Sequence, residues 1–310
     1  MITPLAIFGP TAVGKTEIAI ELADLLRESG EDPVAVSADA FQIYEGLDCL
    51  TAKPTEGQQA RLEHRLISFV PIDEEFSVAE FSKHAHAEVD ELVDAGRRPI
   101  MVGGTGLYLR AALTDLDFRP PPDPGLREQV EQELVELGLK ALHSQLPTET
   151  ANAVHPSDRK RIVRALELDR MGEEPYRTSD QLWSTELRYP AVLFGIVMDG
   201  DVLSERISAR VDEMFAGPVT HEVELAIERN ASRTARKAIG FKEAEAILRG
   251  ELTLEQASER IKRRHRQYAK RQLTWMRKLA NVELIDRSRR SAGEVAEDIL
   301  RRLPGTVETS

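Results

Sequence analysis

The 310-residue chain is 41% hydrophobic and 30% charged, a composition that excludes an intrinsically disordered protein and allows one large domain or two modest ones. Its single cysteine, Cys49, excludes a disulfide framework and a cysteine-based zinc site within one chain. The longest apolar run near the start, Leu5–Phe8, is too short for a signal peptide or a membrane span, so we expect a cytoplasmic protein with no membrane partner.

The net charge of −12 argues against general nucleic-acid binding, but the charge is unevenly distributed. Between Ala257 and Lys278 the chain has nine basic residues and one acid, Glu259. Residues spaced by three and four place a polar and mostly cationic stripe on one face of a predicted helix. The stripe, called the basic face below, comprises Arg260, Arg264, Gln267, Arg271, Thr274 and Lys278. It predicts binding to an RNA backbone, because a merely solvated face would also carry acids.

Short apolar segments alternate with helical patterns along the first half of the chain. The predicted strands are Leu5–Phe8, Val34–Val36, Leu66–Val70, Ile100–Val102, Ala191–Met198 and Val282–Ile285. Helices are predicted for Glu17–Leu26 and from Ser77 to about Ala95, where Ser77 and Glu80 have the spacing of a capping box. This alternation is typical of a parallel sheet covered by helices on both faces.

A proline-rich segment at residues 120–124 interrupts this pattern, and the chain from Pro124 to about Arg170 is helical with no strand candidate. We therefore predict an α/β core that resembles P-loop NTPases, formed by residues 1–120 and 191–310. An all-helical domain is inserted at residues 121–190.

The residues from Gly9 to Thr16 match the phosphate-loop pattern GxxxxGK[ST] between a predicted strand and helix. Backbone amides, the helix dipole and Lys15 favour phosphate oxygens, and the Thr16 hydroxyl is a candidate Mg²⁺ ligand. The predicted diphosphate site comprises Gly9, Pro10, Thr11, Ala12, Val13, Gly14, Lys15 and Thr16. The loop leaves two functions open. One is a kinase or NTPase, in which a strand normally ends in an aspartate that holds Mg²⁺, and Asp39 loosely resembles such an aspartate. The other is a transferase that releases diphosphate.

Further segments resemble the tRNA dimethylallyltransferases (tRNA isopentenyltransferases) in order and spacing over residues 5–280. They are the phosphate loop, Ser37–Tyr44, Thr51–Pro54, Gly103–Tyr108, His155–Glu167, Ala238–Glu243 and Arg266–Trp275. The resemblance implies transfer of a dimethylallyl group from dimethylallyl diphosphate to the exocyclic amine of the adenine 3′-adjacent to the anticodon. It also implies Mg²⁺ as cofactor and the anticodon stem-loop of tRNA as partner. One cysteine cannot form the zinc finger of the eukaryotic branch, so the compact bacterial form is expected, as a monomer.

The resemblance also implies roles for individual residues. Asp39 matches the family's catalytic base, Thr105 the residue beside the reacting nucleotide, and Lys15 and Thr16 stabilise the leaving diphosphate. Arg206 and Arg210, one helical turn apart, are candidates for diphosphate contact, or else an exposed helix face. Asp39 could instead hold Mg²⁺ or cap a helix, and Thr105 could cap the helix that begins near Gly106.

The tRNA contacts that the resemblance and the basic face imply form a larger set. They are Asp39, Ala40, Phe41, Gln42, Thr105, Arg127, Lys160, Arg161, Ile162, Val163, Arg164, Arg264, Gln267 and Arg271.

The sequence departs from the family's usual pattern at Ala40, Cys49, Leu50, Arg65 and Ser68, none of which the chemistry requires. Three alternatives stay open: an adenylate isopentenyltransferase of the cytokinin type, a P-loop kinase or NTPase, and an RNA-binding protein without activity. The first has no need of the basic residues of Arg260–Lys278 or Lys160–Arg164, and intact Lys15, Thr16, Asp39 and Thr105 argue against the third.

Overall fold

The computed structural model describes residues 2–121, 123–175, 183 and 185–304, and within them a six-stranded sheet forms the centre of the fold. The strands are β1 (Leu5–Phe8), β2 (Pro33–Ser37), β3 (His64–Arg65), β4 (Arg98–Gly103), β5 (Val192–Val197) and β6 (Val282–Asp286). They are all parallel and lie in the order β3-β2-β4-β1-β5-β6. β1 and β2 are fully buried, as expected for a sheet covered on both faces.

Helices connect the strands and also form most of the segment between β4 and β5. They are α1 (Lys15–Glu28), α2 (Asp48–Thr51), α3 (Glu56–Arg61), α4 (Val78–Asp94), α5 (Gly106–Leu113), α6 (Pro124–Leu137), α7 (Leu139–Ser144), α8 (Thr148–Ala153), α9 (Arg159–Arg170), α10 (Gly200–Ala216), α11 (Val219–Glu228), α12 (Phe241–Leu248), α13 (Leu254–Met276) and α14 (Ala292–Arg301). In the ranges given above, none of these helices is long and apolar enough to cross a membrane.

The strand register places three loops at one edge of the sheet. Phe8 at the end of β1 pairs with Gly103 at the end of β4, and Ser37 at the end of β2 pairs with Val102. Because the strands are parallel, the segments that follow β1, β2 and β4 all leave at their carboxyl ends. Ligands of open α/β sheets bind at this edge.

The predicted α/β fold is confirmed, and the capping box that begins α4 has both of its hydrogen bonds. The strand predicted at Leu66–Val70 is wrong, because the paired residues are His64 and Arg65. Leu66 and Ser68 have φ values of 59° and 49°, in the left-handed region that a strand cannot contain. Val70 forms only an isolated bridge with Tyr44.

The chain divides into two compact units, Met1–Leu116 with Leu182–Ser310, and Asp117–Gln181. Described residues near 190, which the sequence suggested for the insertion, are held by the first unit instead. Arg188 forms ion pairs with Asp90 and Asp115, and the Tyr189 hydroxyl donates to Asp90 at 2.8 Å. The return to the core therefore begins before β5.

The second unit has its own hydrophobic core, formed by α6, α7 and α9 with the segments between them. Its buried side chains are Val130, Leu142, Leu146, Val154, Ile162, Val163, Ala165 and Leu166. Ile162 and Val163 are therefore core residues, which corrects their assignment as tRNA contacts. Lys160 and Arg161 on the same helix are exposed.

Two of the arginines predicted to contact tRNA are held by one buried carboxylate in this unit. Glu167 on α9 is fully buried and lies 3.2 Å from the Arg127 guanidinium and 3.0 Å from that of Arg164. Arg164 also donates to the Pro120 carbonyl. The charges of Arg127 and Arg164 are thus partly neutralised by a buried carboxylate, whereas Arg161 has only the exposed ion pair with Asp158 at 3.5 Å.

We expect Glu167→Gln to destabilise the second unit by about 3 kcal/mol, because two partly buried guanidinium groups would lose their counter-charge. Native-state hydrogen exchange of the α9 amides measures this local free energy of unfolding. The matched control is Glu133→Gln, which removes the more exposed ion pair with Arg170 and should cost less than about 1 kcal/mol. Equal effects of the two substitutions would contradict a supporting role for Glu167.

Candidate active site

A pocket of about 500 Å³ lies at the carboxyl edge of the sheet, entirely within the first unit. It contains both the Lys15 ammonium and the Asp39 carboxylate, which the sequence assigned to opposite sides of one reaction. Its other polar or charged lining side chains are those of Thr11, Thr16, Glu17, Gln42, Thr51, Lys53, Thr55, Gln58, Arg206, Arg210, Glu213, His265, Tyr268 and Gln272.

The phosphate loop forms one wall of this pocket. Gly14 precedes α1 with a φ of 86°, a left-handed conformation that glycine adopts without strain. Lys15 donates from Nζ to the carbonyls of Gly9 and Pro10 at 3.1 and 3.0 Å, so the ammonium lies over its own loop. Of the eight predicted residues, Thr11, Ala12, Gly14, Lys15 and Thr16 line the pocket, and Gly9, Pro10 and Val13 do not. The Val13 side chain is part of the hydrophobic core.

Two arginines of α10 face the same wall, as the sequence suggested. Arg210 donates from Nη1 to the Thr11 hydroxyl at 2.9 Å and from Nη2 to the Thr51 carbonyl at 3.3 Å. Arg206 lies 3.9 Å from Glu17 and lines the pocket. Burial lowers the pKa of both guanidinium groups, although each stays protonated at neutral pH. The alternative interpretation, that Arg210 lies on an exposed helix face with no role in the site, is therefore wrong.

A third arginine, Arg287, was not found from the sequence. It follows β6, is 5% exposed, and donates to the Val13 carbonyl and, at 2.6 Å, to the Glu17 carboxylate. A Cβ on Gly14 would lie 1.5 Å from its Nη1 atom. Arg287 thus supports the loop from behind, and only the chain's distant return at β6 brings it there.

Asp39 follows β2 and is fixed by the backbone of its own loop. Its Oδ1 atom accepts hydrogen bonds from the amides of Phe41 and Gln42 at 2.9 and 3.4 Å. The Gln42 side chain in turn accepts from the Ser37 hydroxyl and donates to the Ala52 carbonyl. One carboxylate oxygen is thereby used for position, and Oδ2 has no hydrogen-bond partner in the described part of the chain. Ala40 does not line the pocket.

Thr105 precedes α5, but its hydroxyl makes no helix-capping hydrogen bond, so the helix-cap interpretation is wrong. Its Oγ1 lies 3.0 Å from the Tyr268 hydroxyl, which lines the pocket. Burial, with the nearby Asp39 charge as a smaller cause, raises the pKa of Tyr268. The tyrosine is therefore neutral, and one of the two hydroxyls donates to the other.

The second glycine motif, Gly103–Tyr108, holds the loop after β4 close to the loop after β2. A Cβ on Gly103 would lie 2.2 Å from the Ala38 carbonyl oxygen, and the Ala38 amide donates to Val102. A Cβ on Gly106 would lie 2.5 Å from the Trp275 ring. Only glycine allows these approaches, and they hold the loop after β4 against both the Asp39 loop and α13.

The helix α13 carries the basic face except for Lys278, which follows the end of the helix. Most of this face is exposed: Arg260, Gln267, Arg271, Thr274 and Lys278. Arg264 is the exception, because it lies 2.8 Å from both carboxylate oxygens of the nearly buried Glu243. The Arg271 guanidinium lies 5.5 Å above the Tyr268 ring centroid. Arg271 and Gln267 therefore face solvent, whereas the charge of Arg264 is neutralised.

The opposite face of α13 includes two buried polar residues that the sequence reading missed, His265 and Gln272. Burial, reinforced by Arg210 and Arg264, lowers the pKa of His265 to about 3, so its ring is neutral at pH 7. Buried positions on this helix recur every three or four residues. That spacing, applied to polar as well as apolar residues, could have identified both of them.

The described residues include no group of three or more histidine, cysteine or acidic side chains that could hold a metal by themselves. Mg²⁺ does not need such a cage, because it usually keeps several waters and binds substrate phosphates together with few protein ligands. The Thr16 hydroxyl at the start of α1 fits this requirement, as it lines the pocket beside Lys15.

Comparison with known proteins identifies the family. A family model described as IPP transferase matches residues 42–279. The chain belongs to the IPP transferase family. A tRNA dimethylallyltransferase from Acetivibrio thermocellus is 40% identical over 290 residues, covering 91% of each chain.

Two solved structures are similar to this chain. The tRNA isopentenylpyrophosphate transferase of Bacillus halodurans has a TM-score of 0.70 and 34% identity, covering 97% of this chain and 96% of that one. A eukaryotic dimethylallyltransferase described as acting on tRNA has a TM-score of 0.76 at 22% identity, covering 99% and 82%. This last likeness extends to the fold alone.

The pH dependence of anion binding should report the state of Lys15. Burial lowers the pKa of Lys15 to about 8, with Asp39 opposing and Arg210 reinforcing the shift. The charged form attracts phosphate and predominates below pH 8, so pyrophosphate affinity should fall as the pH rises above 8. Calorimetric titration of pyrophosphate between pH 7 and 9.5 measures this loss. In Lys15→Arg the side chain stays protonated throughout, so a loss identical to that of the original protein would contradict the assignment.

Proposed function

We propose that this protein transfers the dimethylallyl group of dimethylallyl diphosphate to the exocyclic amine of the adenine 3′-adjacent to the anticodon in tRNA, and releases diphosphate. The single observation that carries the proposal is the presence of a phosphate loop and a fixed carboxylate in one pocket. Lys15 and Asp39 line the same pocket, and we assign Lys15 to the prenyl donor and Asp39 to the acceptor. Membership of the IPP transferase family supports the same reaction.

On the donor side, the protein must stabilise negative charge as the C1–O bond of the allylic diphosphate breaks. Lys15 and Arg210 supply two positive charges, and the loop amides add hydrogen-bond donors. Thr16 would hold Mg²⁺, which supplies further charge neutralisation on the diphosphate when it is bound. The electron pair of the broken bond leaves with diphosphate, so these groups act most strongly as the transition state forms.

On the acceptor side, the adenine amine forms a bond from nitrogen to C1 and must lose a proton. The lone pair of this amine is delocalised into the ring, so a hydrogen bond from the amine to Asp39 would orient it and provide a base. Oδ1 is already used by two backbone amides, which leaves Oδ2 as the atom that accepts the proton. Tyr268 lines the same pocket, and we expect it to contact the nucleotide together with its hydrogen-bond partner Thr105.

Two features argue against the alternatives. Membership of the IPP transferase family argues against a kinase or NTPase. An enzyme acting on free adenylate has no use for the exposed cations of α13. We infer that these cations, with Lys160 and Arg161 of the second unit, contact the tRNA backbone. We further propose a monomeric enzyme that acts in the cytoplasm.

An acceptor panel tests the proposal directly. The purified protein is incubated with labelled dimethylallyl diphosphate and Mg²⁺, and offered unmodified tRNA, AMP or ATP in separate reactions. We expect label in tRNA only, and none in a tRNA whose adenine 3′ to the anticodon is replaced by guanine. Label in AMP would support the cytokinin-type enzyme, and ATP hydrolysis without prenyl transfer would support the kinase class.

The basic face should account for part of the salt dependence of tRNA binding. Replacing both Arg260 and Arg271 with glutamine should lower the slope of log Kd against log salt by roughly 0.8 for each charge removed. Filter binding at several salt concentrations measures that slope. Lys83→Gln, at an exposed position on α4, is the control and should leave it unchanged. An unaltered slope in the double variant would contradict RNA binding by this face.

A further inference from the structure

The Gln272 side chain lies between the two glycine loops and is hydrogen-bonded to both. It lies on α13 and is 3% exposed. Its Oε1 accepts a hydrogen bond from the Thr11 amide of the phosphate loop at 2.9 Å. Its Nε2 donates to the Gly104 carbonyl of the loop after β4 at 2.7 Å. One amide group therefore joins two loops that are 93 residues apart in sequence.

We propose that Gln272 is a positioning residue that fixes the distance between the donor and acceptor halves of the active site. The inference rests on the proposed transfer reaction. Gln272 is outside the predicted phosphate and tRNA sites, and its side chain acts through the loops that it joins.

On the donor side, Gln272 holds the phosphate loop through the Thr11 amide. The Thr11 amide belongs to the loop that we assign to diphosphate, and its hydroxyl accepts from Arg210. The amide is directed to Gln272, whereas the hydroxyl is directed to the arginine. Gln272 therefore holds the backbone of the phosphate loop at Thr11 without occupying the charged groups Lys15 and Arg210.

On the acceptor side, Gln272 holds the loop after β4 through the Gly104 carbonyl. Gly104 lies between Gly103, which approaches the Ala38 carbonyl closely, and Thr105, which pairs with Tyr268. A displacement of Gly104 would be passed to the Asp39 loop and to Thr105 through these contacts. A Cβ on Gly104 would lie 2.2 Å from Gln272 Nε2. The fit between this carbonyl and the glutamine thus leaves no room for a side chain.

The carboxamide group of Gln272 suits this bridge because it carries both a donor and an acceptor. Only a carboxamide of this length offers an acceptor to one loop and a donor to the other from a single rigid plane. A glutamate keeps the acceptor for Thr11 but places a second acceptor against the Gly104 carbonyl. A methionine of similar length offers neither. Since misplacement of reacting groups by about 1 Å can cost roughly 100-fold in rate, loss of this bridge should reduce turnover more than substrate binding.

The test compares Gln272→Glu, Gln272→Met and Gly104→Ala with the original protein. Kinetic constants for prenyl transfer are measured with both substrates saturating, and pyrophosphate affinity is measured by calorimetry without RNA. We expect kcat to fall roughly 10- to 100-fold, while the Kd for pyrophosphate changes less than threefold. Gln132→Glu and Gln132→Met, at an exposed position on α6, are the matched controls and should change neither constant.

A double variant separates positioning from general damage to the fold. If Gln272 and Gly104 act through one bridge, Gln272→Met combined with Gly104→Ala should be no slower than the slower single variant. Multiplied losses in kcat would overturn the inference, as would unchanged kcat in the folded single variants. Loss of pyrophosphate affinity without a change in kcat would make Gln272 a binding residue and would also overturn it.

The original protein separates this inference from the proposed function. If it fails to prenylate tRNA, the proposed function is wrong, whatever the variants do. If it prenylates tRNA and the variants keep full kcat, the reaction stands and only the role of Gln272 is wrong. Should Gln272→Met fail to fold, Gln272→Glu and Gly104→Ala carry the comparison.

Discussion

Replacing Asp39 with asparagine should lower kcat for prenyl transfer by roughly 10²–10⁴-fold, because the base that accepts the amine proton is lost. Asparagine keeps an acceptor oxygen for the amides of Phe41 and Gln42, so the loop should retain its conformation. The affinity for tRNA should therefore stay within about twofold, because phosphate contacts supply much of it. Single-turnover kinetics and filter binding measure the two quantities on the same preparation.

Two further variants make the Asp39 result interpretable. Asp39→Ala removes the loop-closing acceptor as well as the base, so it should be at least as slow and less stable. Asp199→Asn is the matched control, because the Asp199 Oδ1 also accepts from two backbone amides but lies outside the pocket lining. If Asp39→Asn lost tRNA affinity and kcat to the same degree, Asp39 would be structural.

Replacing Lys15 with methionine should lower kcat/KM for the prenyl donor by roughly 10²–10³-fold, the usual cost of removing one group that stabilises developing negative charge. Arg210 and the loop amides remain, so activity should not vanish. The ammonium interacts with charge that grows during C–O cleavage, so we expect kcat to fall as well as affinity. Steady-state kinetics with donor varied at saturating tRNA distinguish the two constants.

The control for Lys15 is Lys83→Met, which removes an equally long cation from the exposed surface of α4 and should leave both constants within twofold. A rise in KM with unchanged kcat would mean that Lys15 binds ground state and transition state equally. That outcome would contradict a role in leaving-group stabilisation, while leaving its role in donor binding intact.

The sequence predicted the strands around the active site because their signals are local. Buried runs such as Leu5–Phe8 end at glycine or polar residues, and the two glycine motifs and Asp39 all follow such runs. The failure at Leu66–Val70 shows the limit of this reasoning. An apolar run predicts burial, but the left-handed conformations of Leu66 and Ser68 depend on the tertiary packing of that loop.

The residues that support the site from a distance were much harder to predict. Arg287 comes more than 270 residues after the loop that it holds, and no local pattern marks it. Gln272 was not predicted because the charge pattern of α13 identifies only its exposed face, and Gln272 lies on the buried face. The burial of Ile162 and Val163 and the pairing of Arg127 with Glu167 likewise follow from packing within the second unit.

The strand order sets the distance between the two ends of the pocket, where the two substrates must meet. Because β4 lies between β2 and β1, the backbones leading to Asp39 and Lys15 are separated by two inter-strand spacings, roughly 10 Å. Main-chain hydrogen bonds between the strands fix this separation. Exchanging a wall residue can widen or narrow the cavity but leaves the separation of the strand ends unchanged, and Gln272 acts only on the loops beyond those ends.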